Sequence, residues 1–336
     1  MGKPYVVHYI GTVKRPDPVN FAQAQQDAAS AQSFKPYEVP AQDTYRQGNV
    51  RALLVGINYY GSSAELSGCV NDVRQEMATF QKINFPVKEV ALLVDDKSFP
   101  NVTARPTRAN IIKYMAWLVK GAKAGDVLFL HYSGHGAQTK AATDRGEAYD
   151  QVICPVDYTT AGCIVDDDLF QMLAKELPQG VRLTAVFDCC HSGSMLDLPY
   201  EFVCSSTITT GNSNYHMKQI RKDNFSKGDV LMISGCKDTQ TSADVGNTAS
   251  MGNGATGAGG AATQCLTYVL LNTKDLSYKD TVVKTREMLA KKKFEQVPQL
   301  SASKPLNLNE KFSMMKTFPV DSSMKQSLPR SIQLLL

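Results

Sequence analysis

The sequence predicts an α/β domain of three layers, with helices on both faces of a mainly parallel central sheet. Three observations carry that prediction. Apolar runs of strand length recur along the chain, segments of helical period separate them, and 336 residues at 43% hydrophobic content suffice for a large core. A strand covered on both faces is apolar at successive positions, not alternate ones. Ala52 to Gly56, Val90 to Val94, Val127 to Leu130, Leu183 to Phe187 and Val230 to Ser234 all read that way. Their alternation with helices is the layer pattern of α/β proteins.

Residues 1–47 differ in composition from the rest of the chain and read as an arm or prosegment. A β-prone run from Tyr5 to Ile10 precedes a connector rich in Pro, Gln, Ala and Ser, from Pro16 to Gln42, that has little capacity to fold alone. So apolar a run must dock, and a β-prone hexapeptide can add to an exposed sheet edge. The main domain spans 48–314. In it, Cys69 to Ile83 carries Val70, Val73, Met77, Phe80 and Ile83 at helical spacing, and Ile111 to Val119 comes after Thr107, a suitable N-cap. Leu169 to Leu177, Ala261 to Leu271 and Tyr278 to Lys291 read as further helices, and Gln296 to Leu300 as a strand. Ser205 to Lys227 and Lys237 to Gly260 are polar, glycine-rich interruptions, expected as functional loops or disorder. The second contains Gly252, Gly254 and Gly257 in a G-x-G-x-x-G pattern. A polar loop precedes it instead of a strand, so a flexible loop is expected and not a dinucleotide site. The tail, 315–336, shows no strong period.

Composition excludes several classes. With 36 basic against 32 acidic residues and a net charge of +4, the chain has no strong electrostatic footprint, and no nucleic-acid partner is expected. No apolar run reaches the roughly 18 to 20 residues of a membrane span, and the N-terminus lacks a signal pattern, so a cytoplasmic location is expected. Eight cysteines without a C-x-x-C pair suggest reduced thiols, with neither a disulfide framework nor a zinc ribbon.

Parallel strands deliver the segments that leave their C-terminal ends to one edge of the sheet, where α/β proteins place their sites. Val127 to Leu130 runs into His131-Tyr132-Ser133-Gly134-His135-Gly136, and Leu183 to Phe187 runs into Asp188-Cys189-Cys190-His191-Ser192-Gly193. A thiol becomes a nucleophile beside a base or a fixed positive field, and flanking glycines let backbone N–H groups approach a developing oxyanion. A core cysteine next to a hydrogen-bonded histidine is the plainer alternative. Zinc is another, since His131 and His135 are spaced i, i+4. Their glycines argue against a helix, and adjacent Cys189 and Cys190 on a strand end would point oppositely.

The two turns, with the histidine about 55 residues before the cysteine, resemble the His and Cys motifs of the metacaspases, caspase-like cysteine peptidases. The resemblance continues through Gly56-Ile57-Asn58-Tyr59, Gly68-Cys69-Val70-Asn71-Asp72 and Ser234 to Asp244, covering about Arg51 to Leu300. It implies a caspase-like three-layer α/β/α sandwich, with a large-subunit-like part at about 48–204 and a small-subunit-like part at about 226–314. No long insertion separates them, as in the type I arrangement.

The resemblance also implies roles. Cys190 would be the nucleophile and Cys189 a core residue, with His135 handling protons and the N–H groups of Gly136 and Cys190 holding the oxyanion. Asp72 and Asp188, with Cys69 and Ser133 beside them, match a pocket for Arg or Lys before the cleaved bond. Asp72 also reads as an ordinary first-turn acid. Asp150, Asp166, Asp167 and Asp197 match an activating calcium site, whereas helix capping alone would account for the Asp166-Asp167-Asp168 cluster. The function so implied is a calcium-stimulated cysteine endopeptidase working through a thioester acyl-enzyme on peptides or proteins, as a monomer, with Ca2+ as activator only. The alternative is a catalytically silent, calcium-responsive interaction module on the same fold.

Overall fold

The β-prone run forms strands, and the connector, with little capacity to fold alone, packs Val19, Ala24 and Ala28 into the main core. The computed structural model describes residues 5–7, 9–142, 148–190, 192–204, 215–236, 243–245 and 259–336. In the arm, β1 (Tyr5–Val7) and β2 (Tyr9–Val13) precede α1 (Phe21–Asp27), which Asn20 caps by accepting from the Gln23 N–H at 3.0 Å. Then come β3 (Val50–Gly56), α2 (Cys69–Lys82), β4 (Glu89–Val94), α3 (Arg108–Val119) and β5 (Val127–Ser133). A side ribbon is next: β6 (Gly136–Lys140), β7 (Tyr149–Ile153), the single turn α4 (Tyr158–Ala161) and β8 (Ile164–Val165). After it, α5 (Asp166–Phe170) continues as a π-helical turn, Gln171–Lys175, towards β9 (Arg182–Asp188). The remainder is β10 (Tyr200–Cys204), β11 (Tyr215–Gln219), β12 (Asp229–Ser234), β13 (Ala243–Val245), β14 (Gly259–Gly260), α6 (Ala261–Asn272), α7 (Tyr278–Lys291), β15 (Gln299–Ala302) and α8 (Arg330–Gln333).

The central sheet has eight strands in the order β11-β10-β15-β12-β9-β5-β3-β4. The five from β12 to β4 are mutually parallel, and β15, β10 and β11 add antiparallel at one side. Alternate residues of each strand serve opposite cores. Leu53, Leu130 and Ala185 face one core with Ile111 and Met115 of α3. Leu54, Phe129 and Val186 face the other with Phe80 of α2, Leu266 of α6 and Val282 of α7. That is the three-layer, caspase-like sandwich, and no described helix is long and apolar enough to cross a membrane.

Two expectations need correction. Ser205 to Lys227 contains β11, whose Met217 is buried between polar neighbours, the alternation of a strand covered on one face. Lys237 to Gly260 contains β13 and β14, and Gly252 to Gly257 lie outside the described residues. The arm adds to sheet edges outside the central sheet: β1 pairs antiparallel with β13, and β2 pairs parallel with β6. The tail, without a period of its own, still buries Leu328 and Ile332 in the second core.

The helix ends obey local chemistry. Thr107 accepts from the Asn110 N–H to start α3. Ser277 and Asp280 form a reciprocal capping box at the start of α7. Ser277→Ala should therefore lower stability by about 1 kcal/mol, read as a reduced urea midpoint; an unchanged midpoint would show that tertiary contacts alone hold this helix end.

Candidate active site

Neighbouring parallel strands bring the two predicted turns together. β5 and β9 run in register, with Ser133 opposite Asp188, so the segments leaving them emerge side by side. Gly136 lies against the Cys190 backbone: a Cβ there would overlap the Cys190 carbonyl oxygen and sit 3.3 Å from its nitrogen. Only glycine permits that approach. Cys190 is fully buried and His135 is 3% exposed.

His135 is held from several sides. Its N–H donates to the Tyr59 hydroxyl at 2.9 Å, its carbonyl accepts from the Tyr132 hydroxyl at 2.8 Å, and its ring packs on the Tyr59 ring at 4.7 Å. Nε2 lies 2.7 Å from the Ala64 carbonyl. A carbonyl only accepts, so Nε2 carries the hydrogen in this bond and Nδ1 is left as the nitrogen able to exchange a proton. His131, by contrast, points into the core, where burial lowers its pKa to about 3 and keeps it neutral. Cys189 is buried in the core beneath β9, and burial followed by the proximity of Cys236 pushes its thiol well above the ordinary value.

The two expected pocket carboxylates sit together in a dense net of donors. Asp72, in the first turn of α2, accepts from Ser133 Oγ at 2.7 Å, Gln264 Nε2 at 2.8 Å and the Gly260 N–H at 2.9 Å. Asp188, ending β9, accepts from both the N–H and the hydroxyl of Thr263 at 2.8 Å. A Cβ at Gly260 would collide with Asp188 and lie 2.8 Å from Asp72 Oδ2. Cys69, at the start of α2, is buried nearby. Burial first, and the charge of Asp188 second, hold the Asp72 carboxyl well above its usual range. One α-helical turn further on, the same causes push Glu76 up to about 8.

A second acidic group lies beyond the side ribbon. Asp150 of β7 and Asp166 and Asp167 of α5 each place a carboxylate oxygen within 4.8 Å of the others. The three Asp residues of α5 form its first turn, but none caps it as a side-chain acceptor at the N-cap, which is Val165. Asp166 accepts from the N–H groups of Gln151 and Asp167, both at 2.8 Å, and burial followed by the charge of Asp197 raises its pKa well above the ordinary value. Asp197 itself pairs with Arg221 at 2.5 Å. Thr139, directly opposite Asp150 across the β6–β7 pair, is fully buried, and its hydroxyl has no hydrogen-bond partner among the described residues. Carboxylates with an unspent hydroxyl are hard oxygen donors and fit a calcium ion.

The family model described as metacaspase, peptidase C14 domain, matches residues 50–199. Metacaspase-3 of Trypanosoma cruzi (strain CL Brener) is 57% identical over 318 residues, 95% of this chain and 88% of that protein. The chain belongs to the metacaspase family. By family it is a cysteine peptidase, a hydrolase acting on protein. Another relative, inactive metacaspase-4 of Trypanosoma brucei brucei, is 46% identical over 96% of this chain and 90% of its own. A crystal structure of a Geobacter sulfurreducens protein superposes with a TM-score of 0.53 at 22% identity, over 81% of this chain and all of that one, a likeness of fold alone.

Several residues of this metacaspase's site gave no sequence signal. Thr263 and Gln264 are ordinary polar residues until α6 meets the sheet edge. Glu76 had a signal, because it falls four residues after Asp72 on the same helical face. Its environment makes stability depend on pH. A carboxyl that ionises at 4.5 in the unfolded chain but near 8 in the fold binds a proton only in the folded state between those values, so stability falls as pH rises through that window. Glu76→Gln mimics the protonated form. It should stabilise the fold at pH 8, by on the order of a few kcal/mol at most, and change little near pH 5. An equal shift in melting temperature at both pH values in scanning fluorimetry would contradict the buried, protonated Glu76.

Proposed function

We propose that this metacaspase is a calcium-stimulated cysteine endopeptidase that cleaves after Arg or Lys, with His135 and Cys190 as its catalytic pair. The observation that carries the reading is the backbone contact between Gly136 and Cys190, which joins a histidine turn to a cysteine turn at one sheet edge. Cys190 Sγ attacks the scissile carbonyl while His135 Nδ1 takes the thiol proton, then returns it to the leaving amine. The N–H groups of Gly136 and Cys190 steady the oxyanion. Water then hydrolyses the thioester, activated by the same imidazole.

Asp72 and Asp188 support the basic preference: two acids in one pocket attract a guanidinium or ammonium and repel an acidic side chain. Asp150, Asp166, Asp167 and Asp197 would hold calcium, which supplies positive charge to a self-repelling cluster and does not touch the scissile bond. A silent interaction module is the second reading, favoured by the 46% identity to a relative named as inactive.

A fluorogenic peptide panel separates these readings. With calcium, Arg and Lys substrates should be cleaved and Asp substrates not, chelator should suppress turnover, and Cys190→Ala should abolish it. Asp72→Ala should lose about thirtyfold or more, since one partner of a buried charge pair is worth roughly 2 to 5 kcal/mol. Turnover by Cys190→Ala equal to the parent's would refute the dyad, and efficient cleavage after Asp would refute the pocket.

The arm bears on access. β2 pairs with β6 from Gly136 onward, and β1 pairs with β13, which in turn pairs with β14 beside the pocket carboxylates. We read this as occlusion. The connector also contributes Val19, Ala24 and Ala28 to the first core, so removing it entire would cost stability. Deleting residues 1–13 alone should raise kcat/KM on small peptides and leave the melting temperature within a few degrees. A truncated protein that is folded but no more active would leave the strands a structural role only.

A further inference from the structure

We propose that Arg15 of the arm is a tethered counter-ion for the Asp150–Asp166–Asp167 cluster, and that a divalent cation binding there displaces it and releases β2. The inference rests on the calcium reading above and adds what that reading does not contain: a residue of the arm that competes for the site.

The geometry is specific. One guanidinium nitrogen of Arg15 donates to Asp150 Oδ2 and lies 3.1 Å from the Lys140 carbonyl, and the other lies 3.8 Å from Asp167 Oδ2. Two of the three clustered carboxylates thus share one cation supplied by the arm, and Arg221 supplies a second to Asp197. A calcium ion in the cluster would bring two charges where Arg15 brings one. It needs several oxygens at about 2.3 to 2.6 Å, a distance at which Asp150 Oδ2 has no room for a guanidinium donor as well. The Thr139 hydroxyl, buried opposite Asp150 and without a hydrogen-bond partner among the described residues, remains as a further oxygen on that face.

Connectivity turns competition into release. Arg15 stands two residues after β2, whose Val13 lies opposite Thr139 and whose Tyr9 lies opposite Gly136. Downstream, the arm is tied by bonds that avoid the three-carboxylate cluster. Arg108 donates to the Asp17 carbonyl at 2.7 Å, and the Val19 N–H donates to Asp168 at 3.3 Å. The chain therefore stays anchored at 17–19 while 9–15 depends on its strand pairing, on Ile10 and Val13 packed against the small core of the side ribbon, and on the Arg15 pin. As a partly exposed ion pair Arg15 contributes little to global stability. Its weight lies in linkage: whatever it adds to holding the arm is subtracted from metal affinity.

The sign of one substitution tests this. Calcium is titrated calorimetrically into the full chain carrying Cys190→Ala, which excludes self-cleavage, and hydrogen exchange is followed at 9–13 and at Gly136–Lys140. Arg15→Gln should tighten calcium binding about fivefold or more, a size typical of coupled sites. Lys14→Gln, the same charge change at the neighbouring position, should tighten it much less. Calcium should speed exchange of 9–13 in the parent, and in Arg15→Gln those amides should exchange fast without it. Calcium binding that is equal or weaker in Arg15→Gln, or arm exchange indifferent to calcium in the parent, overturns the inference. Failure of every variant to bind calcium at millimolar concentration overturns the calcium reading itself, and the inference with it.

Discussion

Asp72 and Asp188 stand side by side at the carboxyl edge of the sheet with no exposed surface, and burying acids that way costs several kcal/mol unless donors surround them. The donors come from three different parts of the chain. Ser133 ends β5, Gly260 belongs to β14, and Thr263 and Gln264 open α6. No side chain of its own caps α6, whose N-cap is Gly260. Instead Asp188 accepts the Thr263 N–H, one of the N–H groups that the first turn of any helix leaves unsatisfied, and so acts as a cap from another strand. The acids need the helix end, and the helix end needs the acids. That mutual requirement fastens the 259–264 segment to the sheet edge beside the cysteine turn.

The same net bears on how a basic side chain would be recognised. Asp72 already accepts from a serine hydroxyl, an amide side chain and a backbone N–H. On the proposed specificity, an entering guanidinium or ammonium must replace some of these donors, and the Gly260 N–H is the one carried by a two-residue strand instead of a helix or the central sheet. Charge-assisted bonds are about twice as strong as neutral ones, so the exchange favours a cation and disfavours every uncharged side chain. Selectivity would then come from the cost of undoing an existing net, which only a charged ligand offsets.

The central strands were legible because a doubly covered strand is apolar throughout, a pattern that survives without tertiary context. β3, β4, β5, β9 and β12, with α2, α3, α6 and α7, fall within a few residues of where periodicity puts them. β11 and β14 were not legible, since a polar edge strand and a pair of glycines resemble loops until a partner strand is present. The turns bearing His135 and Cys190 stood out as glycine-flanked strand ends. Thr263, Gln264 and Arg15 did not, because nothing local distinguishes a threonine near a helix start, or one of 36 basic residues, from its equivalents. Their partners lie 75, 192 and 135 residues away in sequence.

The side ribbon explains how an acidic cluster could speak to the His135 and Cys190 turns, which it does not touch. β6 begins at Gly136, the residue packed on Cys190, and three residues later presents Thr139 opposite Asp150. At about 3.3 Å per residue the two positions are roughly 10 Å apart along one strand. β2 lies along the other side of that strand and meets both places, Tyr9 opposite Gly136 and Val13 opposite Thr139. A strand paired on both sides moves as a unit or loses a ladder, because a one-residue slip would turn every side chain to the opposite face. Ordering the cluster therefore fixes β6 from one side, and removing β2 frees it from the other. Both act on the single strand whose first residue sits against the Cys190 backbone.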